Sequence, residues 1–324
     1  MSPRTFHSLP SWYTQRVFFV CPHCRLELKG ERSSLRCSSC EREYPVDGAV
    51  ADFSEGLYYD VFDESVTLRP EHVAGLEQEV AGAAARIDDF YLPRIRERMA
   101  SRSTGDVRVL DSGCGNGLSV DILARAGLDA WGHDLSALRK WQWRERERRD
   151  RLCVADALRL PFADGSFDFV LSSGVIEHLG VAETGGATYR VEVLPSRDAI
   201  RREYLGELLR VLRSGGSLFV DAPNGAFPID FWHGTRPGAA RWHSPREGFL
   251  TTYRQIERLA REVVPAVSVR PLSPDRRLRF EQVGLHWYGR AFAIPMRLML
   301  RAMNTLPSLA RSPLNPYLVV EITR

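Results

Sequence analysis

A short apolar run that leads into a glycine-rich turn is the feature that most constrains how this chain can fold. Residues 107–110 read V-R-V-L, and after two further residues come Gly113, Gly115 and Gly117. Glycine lets the backbone turn sharply and approach a ligand closely. A segment with helical composition follows at 119–126. The pattern predicts a strand, a turn and a helix at the start of an α/β sheet.

The same alternation continues along the chain. Further strands are predicted at 130–133, 151–154, 167–171 and 217–220, and helices at 136–150, 197–212 and 250–262. A strand at 267–270 or within 280–286 and a terminal strand at 317–323 complete the pattern. Such alternation implies a parallel sheet with helices on both faces. The chain has 324 residues, 44% hydrophobic and 26% charged, which excludes a mostly disordered protein.

Four of the six cysteines form a separate pattern near the N-terminus. Two C-x-x-C pairs, twelve residues apart, contain Cys21, Cys24, Cys37 and Cys40. Two such pairs aim four thiolates at one point, which predicts a structural zinc site with no ligand position left for a catalytic water. Two disulfides are the alternative, and they would need an oxidising compartment. The N-terminus shows no export signal, so we expect a cytoplasmic protein.

The residues after the second pair read E-Y-P-V-D-G-A-V-A-D-F. Together with the cysteines, this pattern over about residues 17–54 resembles the Trm112-like zinc-ribbon family. The resemblance implies a small β-rich module of the kind that docks onto, or is fused to, methyltransferases and other enzymes.

Acidic residues follow the first three strands of the α/β region. Asp111 precedes the glycines, where a carboxylate would repel a pyrophosphate but could hold an ammonium group. Asp134 follows the second strand, where it could accept hydrogen bonds from ribose hydroxyls or begin the next helix. Asp156 follows the third strand and could accept an adenine amino group. Because residue 118 is Leu, the glycines lack the G-x-G-x-x-G spacing of dinucleotide-binding proteins.

These segments appear in the order V-L-D-x-G-C-G-x-G, D-x-S, D-A-x-x-L-P-F-x-D-x-S-F-D-x-V and R-V-L-x-x-G-G-x-L. Over about residues 105–225 they closely resemble the class I S-adenosylmethionine-dependent methyltransferases, specifically the type 11 branch. The resemblance implies a Rossmann-like, seven-stranded α/β sheet with an antiparallel last strand. It also implies that S-adenosylmethionine is the cofactor. The residues expected to bind it are Asp111, Gly113, Cys114, Gly115, Gly117, Asp134, Leu135, Asp156, Ala157 and Ser173.

We therefore predict three parts in the chain. A β-rich zinc ribbon occupies 1–54, a helical linker 55–104 and the methyltransferase domain 105–324. An insertion at about 224–250 is rich in aromatic residues and histidine, and we expect it either to cover the substrate or to pack as an ordinary loop.

Methyl transfer is an in-line displacement at a sulfonium carbon, so catalysis rests mainly on positioning the acceptor. A hydroxyl acceptor also benefits from a general base. The candidates are Glu177 and His178 after the fourth strand, and His233 in the insertion. His178 is the preferred base, and its alternative is a residue that lines the cofactor side. A catalytic metal is disfavoured because metal-dependent relatives carry Glu-x-x-Glu-His, and here Gly174 replaces the first Glu.

The leading functional prediction is O-methylation of a small-molecule, lipid-linked or glycosyl acceptor. RNA methylation is the runner-up, because an N-terminal zinc ribbon before this fold also occurs in the rRNA guanine-N1 methyltransferases. Residues 139–151 hold seven basic side chains together with Trp141 and Trp143, and we expect either a solvated helix face or contact with an RNA backbone. Enzymes that methylate exocyclic amines of bases often carry N-P-P-Y after the fourth strand. This chain reads S-S-G-V-I-E-H at 172–178, so methylation of such amines is disfavoured. A third hypothesis is a non-catalytic scaffold in which the ribbon recruits a partner.

The segment 291–306 is rich in methionine, leucine and arginine. It could form an amphipathic surface for a lipid-like acceptor or a peripheral membrane contact, or it could pack in a core or a homodimer. The chain has no apolar stretch of about 18 residues, so no transmembrane segment is expected.

Overall fold

The structure, a computed structural model, contains the strands and helices that the alternating sequence pattern predicts. It describes residues 19–30, 33–63, 79–99, 106–184, 190–234, 240–278 and 287–324. The chain divides into two units, the first drawn from 1–84 and 103–166 and the second from 85–102 and 167–324.

The strands of the described residues are numbered in chain order. They are β1 (Leu28–Gly30), β2 (Ser34–Cys37), β3 (Glu43–Asp47), β4 (Val50–Asp52), β5 (Arg108–Ser112), β6 (Asp129–Asp134), β7 (Leu152–Val154), β8 (Phe167–Ser173), β9 (Val181–Thr184), β10 (Arg190–Val193), β11 (Leu212–Pro223), β12 (Ile229–Asp230), β13 (Arg241–Trp242), β14 (Ser268–Leu272) and β15 (Tyr317–Thr323).

The helices are numbered in the same way. They are α1 (Leu92–Met99), α2 (Leu118–Arg125), α3 (Ala137–Gln142), α4 (Arg197–Val211), α5 (Tyr253–Val263), α6 (Trp287–Ala302) and α7 (Pro307–Ala310). A π-helical turn covers Arg86–Tyr91, and 3₁₀ turns cover Trp143–Glu145, Arg149–Arg151 and Ile176–His178. Pro93 lies inside a helical stretch that runs without a break from 79 through the π-helical turn to 99.

In the first unit, seven strands lie in the order β1-β2-β3-β4-β7-β6-β5. The strands β5, β6 and β7 are parallel, as predicted, while β1 to β4 pair in antiparallel fashion. The ribbon joins this sheet because β4 pairs in parallel with β7, with Ala51 opposite Cys153 and Asp52 opposite Val154. The N-terminal segment therefore extends the sheet of the first unit at its edge.

Aromatic packing reinforces this junction. The ring of Phe19 lies 5.3 Å from that of Phe53, 5.5 Å from that of Trp131 and 5.4 Å from that of Phe162, centroid to centroid. All four side chains are buried. Burying rings of this size against one another contributes more than area alone, because tilted and edge-on pairs are favourable.

The prediction of a helix at 136–150 is wrong because the observed helix is shorter. α3 ends at Gln142, and Trp143 is fully buried, with its Nε1 donating a hydrogen bond to the Gly115 carbonyl at 2.8 Å. Further along, the Arg148 backbone N–H donates to Asp121 Oδ1 at 2.9 Å. The Arg148 N–H thus bonds to a side chain distant in sequence, and not to a backbone carbonyl of the helix predicted at 136–150.

In the second unit, four strands lie in the order β8-β11-β15-β14. β8 and β11 are parallel, whereas β15 is antiparallel to both β11 and β14. Three parallel strands of the first unit and these four give the seven strands of the predicted Rossmann-like α/β fold, including its antiparallel last strand. The fold class is therefore confirmed, while the boundaries at 54 and 104 stay predictions.

The segment 291–306 falls largely within α6. Leu300 and Met303 are buried with Ala310 in a small apolar cluster, whereas Ile294 and Leu298 are exposed. Core packing accounts for the buried side chains, and the membrane and dimer alternatives stay predictions for the exposed ones. Within the described ranges, no helix combines the length and apolar character needed to cross a bilayer.

Candidate functional site

The glycine turn between β5 and α2 holds a backbone shape that other residues rarely adopt. The φ angle is +74° at Gly113, +55° at Gly115 and +76° at Gly117. A Cβ atom on Gly117 would lie 2.8 Å from Leu152 Cδ1 and 3.1 Å from Trp143 Cδ1. Both the φ angle and the space around it therefore require glycine at position 117.

Asp134 ends β6 with its carboxylate at the glycine turn. Its Oδ2 accepts a hydrogen bond from the Gly115 N–H at 3.0 Å, and its Oδ1 accepts one from the Leu135 N–H at 2.8 Å. Burial raises the pKa of Asp134, although the Gly115 hydrogen bond and the nearby Arg139 oppose that shift. Each carboxylate oxygen can accept a second hydrogen bond, so the group fits a ligand with two neighbouring hydroxyls.

The other cofactor candidates of the first unit differ in their surroundings. Asp111 is buried and accepts a hydrogen bond from the Ser119 hydroxyl. Cys114 is also buried, which raises the pKa of its thiol. Asp156 and Ala157 are half-buried. The cofactor contacts of these residues stay predictions.

His133 is a structural feature of this region that sequence reasoning missed. Its Nε2 lies 2.8 Å from Ser112 Oγ at the end of β5, and its Nδ1 lies 3.3 Å from the Ala155 carbonyl after β7. Burial lowers the pKa of His133 to about 4, so a neutral ring spans the ends of the parallel strands. The available signal was a polar side chain directly before Asp134 in an otherwise apolar strand.

Two knuckles of the same backbone geometry bring the four N-terminal cysteines together. In each, the carbonyl of the first cysteine accepts a hydrogen bond from the residue four positions later, Arg25 at 2.8 Å or Glu41 at 3.1 Å. Those two residues have positive φ angles, 62° and 60°. The second knuckle thus repeats the backbone geometry of the first, as the duplicated C-x-x-C spacing suggests.

The donor atoms fit a zinc ion. The Sγ atoms of Cys21 and Cys40 are 3.5 Å apart, those of Cys24 and Cys37 are 3.3 Å apart, and all four lie within 4.8 Å of one another. Thiolates on a tetrahedral zinc ion lie about 3.8 Å apart, given zinc–sulfur bonds of about 2.3 Å. The separations are too long for S–S bonds of about 2.05 Å, and all six cysteines are free.

The three catalytic candidates lie together in the second unit. Glu177 and His178 sit on the 3₁₀ turn after β8, and His233 follows β12. One potential ligand atom of each lies within 4.8 Å of those of the other two. Glu177 is buried and His178 is exposed. Burial raises the pKa of Glu177, whose Oε2 has no hydrogen-bond partner among the described residues.

The hairpin of β12 and β13 holds His233 in place. Nδ1 of His233 lies 3.0 Å from Oδ2 of Asp230, which also accepts a hydrogen bond from Arg241 Nε at 3.0 Å. Although burial opposes it, hydrogen bonding from His233 lowers the pKa of Asp230 to about 2. The Phe249 ring packs against His178 and His233, at centroid distances of 5.9 and 4.8 Å.

Ser173, a cofactor candidate, belongs to a buried polar network of the second unit. Its hydroxyl donates to Asp221 Oδ1 at 2.8 Å, and Arg277 Nη2 donates to the Ser173 hydroxyl at 2.9 Å and to Asp221 at 3.0 Å. Tyr91 and Tyr317 also donate to Asp221. Burial opposes ionisation, but the Arg277 charge lowers the pKa of Asp221. A cofactor contact of Ser173 stays a prediction.

The insertion at about 224–250 presents aromatic side chains to solvent. Trp242 is 78% exposed, while Phe231 and Trp232 are 44% and 43% exposed. Exposed rings on a hairpin that also carries His233 are compatible with contact to a bound molecule. The substrate-covering role stays a prediction.

Comparison with known proteins identifies the central region. Residues 110–220 match the model of a family described as a methyltransferase domain. The chain is 33% identical to demethylmenaquinone methyltransferase of Beutenbergia cavernae over 158 residues. This alignment covers 47% of the present chain and 58% of the Beutenbergia protein. It is 31% identical over 160 residues to tRNA (carboxymethyluridine(34)-5-O)-methyltransferase ALKBH8 of Mus musculus, covering 48% of this chain and 20% of that protein.

Among solved structures, the chain is similar to a complex between the Haloferax volcanii Trm112 methyltransferase activator and a methyltransferase. The identity is 15% and the TM-score 0.45, over 82% of this chain and 99% of that one. The aligned regions amount to 58% of the Beutenbergia protein and a fifth of the mouse protein. The region matched by the family model contains the glycine turn, Asp134 and Asp156. Residues 110–220 are therefore similar to a methyltransferase domain.

Proposed function

We propose that the chain transfers a methyl group from S-adenosylmethionine to a hydroxyl oxygen of a small-molecule, lipid-linked or glycosyl acceptor. The observation that carries the choice of oxygen is the grouping of Glu177, His178 and His233, which can take up the proton of a hydroxyl group. The relative named for demethylmenaquinone supports a small-molecule acceptor.

On the cofactor side, we assign the ribose hydroxyls to Asp134 and the adenine amino group to Asp156. Asp111 and the glycine turn take the methionine end. When bound, S-adenosylmethionine supplies a methyl group on a positively charged sulfur. Since Gly115 and Leu135 already orient the Asp134 carboxylate, little reorganisation is needed to accept the ribose.

On the acceptor side, His178 is the exposed member of its group and takes the acceptor proton. The acceptor oxygen forms a bond to the methyl carbon as the bond from that carbon to sulfur breaks. Glu177 and His233 set the electrostatic environment of His178. The Phe249 ring packs against the imidazole rings of His178 and His233 and limits their rotation.

Calorimetric titration with S-adenosylmethionine tests the cofactor side. Asp134→Ala removes the charged acceptor of two hydrogen bonds, each contributing about 1.5 kcal/mol, so affinity should fall about 100-fold. Asp129→Asn, at the opposite end of β6, is the matched control and should bind as the unmodified chain does. Equal affinity of Asp134→Ala and the control would refute the ribose assignment.

Transfer of a radiolabelled methyl group to fractionated cell extract tests the acceptor side. We expect label in the small-molecule, lipid or glycan fraction, with activity reduced about 100-fold or more in His178→Ala. Label confined to RNA would overturn the oxygen-acceptor proposal in favour of the second candidate.

An RNA acceptor is that second candidate, and one surface of the first unit favours it. A cavity of about 420 Å³ is lined by Phe62, Lys140, Trp141, Arg144 and Arg149, among others. The rings of Phe62 and Trp141 lie 5.3 Å apart. Stacking rings beside cations are typical of surfaces that bind single-stranded nucleic acid.

Salt dependence tests this surface. If RNA phosphates contact Arg144, the Arg144→Ala variant should lower the slope of log affinity against log salt by about 1. Arg254→Ala, an exposed site of the second unit, is the control. Equal slopes in both variants would refute an RNA contact at Arg144.

We further propose that zinc occupies the four-cysteine cluster as a structural ion. The chain would then comprise a ribbon at 1–54, a linker at 55–104 and the methyltransferase domain at 105–324. Reduced thiolates are needed at such a site, which agrees with a cytoplasmic location. Metal analysis of the purified chain should give about one zinc ion per molecule.

A further inference from the structure

We infer that Glu177, His178 and His233 form a second metal site, which binds a divalent transition-metal cation. The three residues offer two imidazole nitrogens and one carboxylate oxygen, all within 4.8 Å of one another. The cation class follows from these donors, because zinc, manganese, iron and cobalt accept mixed nitrogen and oxygen ligands, whereas magnesium and calcium favour oxygen alone.

The state of Glu177 is the first independent observation. The residue is 1% exposed, and its Oε2 has no hydrogen-bond partner among the described residues. A buried carboxylate without a full set of partners is costly, and a coordinated cation would offset that cost directly. Protonation of the carboxylate would offset it as well, which makes direct measurement of cation binding decisive.

The support behind His233 is the second observation. Its Nδ1 faces the buried Asp230 carboxylate at 3.0 Å, and Arg241 holds that carboxylate from the other side. In the tautomer that donates from Nδ1, the Nε2 atom carries the lone pair that a cation needs. Metal-bound histidines almost always donate their other ring N–H to a carboxylate, a backbone carbonyl or a water, and Asp230 is placed to be such a partner.

The three donor atoms must move slightly closer together to bind one cation. Donor atoms on one cation with bonds of about 2.1 Å lie about 3.0–3.4 Å apart, depending on coordination geometry. The observed spread of up to 4.8 Å can close by side-chain rotations of about 1 Å. His178 is exposed and can rotate in this way, while Glu177 and His233 are already fixed by burial and by Asp230.

Gly174 stands where metal-dependent relatives carry a glutamate, so one of their ligands is missing at this position. His233 supplies the third donor in its place, from 59 residues further along the chain. A tripod of protein ligands also leaves coordination positions that an acceptor can occupy.

Resting on the proposed function, this site narrows the acceptor class. A cation lowers the pKa of an oxygen that binds it, so His178 would act as a ligand and the acceptor proton would pass to solvent. The oxygen then bonds to the methyl carbon and the bond from that carbon to sulfur breaks. Acceptors with two adjacent oxygens, such as vicinal diols or catechols, would bind best because they chelate.

Titration of the 324-residue, zinc-loaded chain with Mn²⁺ tests the site, because Mn²⁺ competes poorly for four thiolates. We expect a single binding event, followed by calorimetry and by the electron paramagnetic resonance signal of free Mn²⁺. His178→Ala, Glu177→Gln and His233→Ala should each weaken binding about 100-fold, and Asp230→Asn about tenfold.

Glu203→Gln, an exposed carboxylate on α4, is the matched control and should leave Mn²⁺ affinity unchanged. Circular dichroism checks that each variant is folded, and the exposed His178→Ala is the variant least able to disturb packing. No Mn²⁺ binding in the unmodified chain, or equal affinity in His178→Ala and Glu203→Gln, would overturn the inference.

The inference and the proposed function fail separately. If S-adenosylmethionine binds and methyl transfer is equal with and without added Mn²⁺, the cation has no role in the reaction while the methyltransferase assignment stands. If S-adenosylmethionine does not bind, the proposed function fails, and the Mn²⁺ titration still decides whether the site exists.

Discussion

The cysteine knuckles and the glycine turn both depend on positive φ angles, but different forces hold them. In the knuckles, Arg25 and Glu41 adopt φ angles of 62° and 60°, although neither is glycine. Such a conformation costs an L residue about 1–2 kcal/mol and needs a compensating force. In the turn, all three positions with positive φ are glycines, so no such cost arises.

The compensating force at the knuckles is the convergence of four thiolates on one ion, if zinc is bound. At the glycine turn, the supports are protein groups, namely the Trp143 Nε1 bond to the Gly115 carbonyl and the Asp134 bond to the Gly115 N–H. The difference implies that the ribbon would depend on a bound metal ion, whereas the turn is held by protein groups.

Loss of a zinc ligand should give the largest effect. Cys37→Ser removes one of four thiolates, and structural zinc contributes on the order of 10 kcal/mol to folding of small domains. We expect zinc content to fall and the amides of β1 to β3 to lose protection from hydrogen exchange, while β5 and β6 keep theirs. Exchange followed by mass spectrometry measures both regions in one experiment.

Cys153→Ala, which alters a buried cysteine of β7 outside the cluster, is the control for that experiment. It should keep its zinc. Simultaneous loss of protection in β1 to β3 and in the glycine turn would show that the two regions are not held independently.

A methyl group on the glycine turn should give the next largest effect. Gly117→Ala combines strain at a φ of +76° with a contact of 2.8 Å to Leu152, and together these should lower the free energy of unfolding by about 4 kcal/mol. Gly48→Ala, at a φ of +54° with no atom within 4 Å of the added carbon, should cost only about 1–2 kcal/mol. Urea unfolding measures both, and equal losses would mean that packing does not hold the turn.

Features encoded by contiguous residues were predictable from the sequence. The two C-x-x-C pairs and the alternating strands, with Asp134 at the end of β6, each depend on neighbours in the chain. Local geometry and periodicity suffice to place such features.

Features that depend on distant residues were not predictable. The pairing of β4 with β7 joins residues about 100 positions apart, and His233 meets Glu177 only because the β12–β13 hairpin folds it there. The early end of α3 has the same origin, since the burial of Trp143 overrides a helix-forming sequence. Tertiary contacts decide these points, and a single sequence contains no local signal for them.

Acid should weaken the supports of the glycine turn through His133. Its pKa is about 4 in the folded chain, against 6.5 when unperturbed. Between these values the unfolded state binds more protons, so stability should fall by about 3 kcal/mol as pH decreases from 6.5 to 4. Unfolding by urea at several pH values measures the slope.

His133→Gln removes the titrating ring and should flatten that part of the pH profile. His178→Gln changes an exposed histidine outside the turn and should leave the slope in place. If both variants keep the slope of the unmodified chain, the acid sensitivity arises elsewhere and the turn does not depend on a neutral His133.

The smallest expected effect probes the knuckles directly. Glu41→Gly relieves a φ of 60°, and after the greater flexibility of glycine in the unfolded chain is subtracted, the gain should be about 0.5–1 kcal/mol. Glu41→Ala removes the same carboxylate but retains the Cβ, so it should show no gain. Urea unfolding of the zinc-loaded chain measures the difference. Equal stability of the two variants would show that the knuckle backbone is unstrained, and the contrast with the glycine turn would then rest on the metal alone.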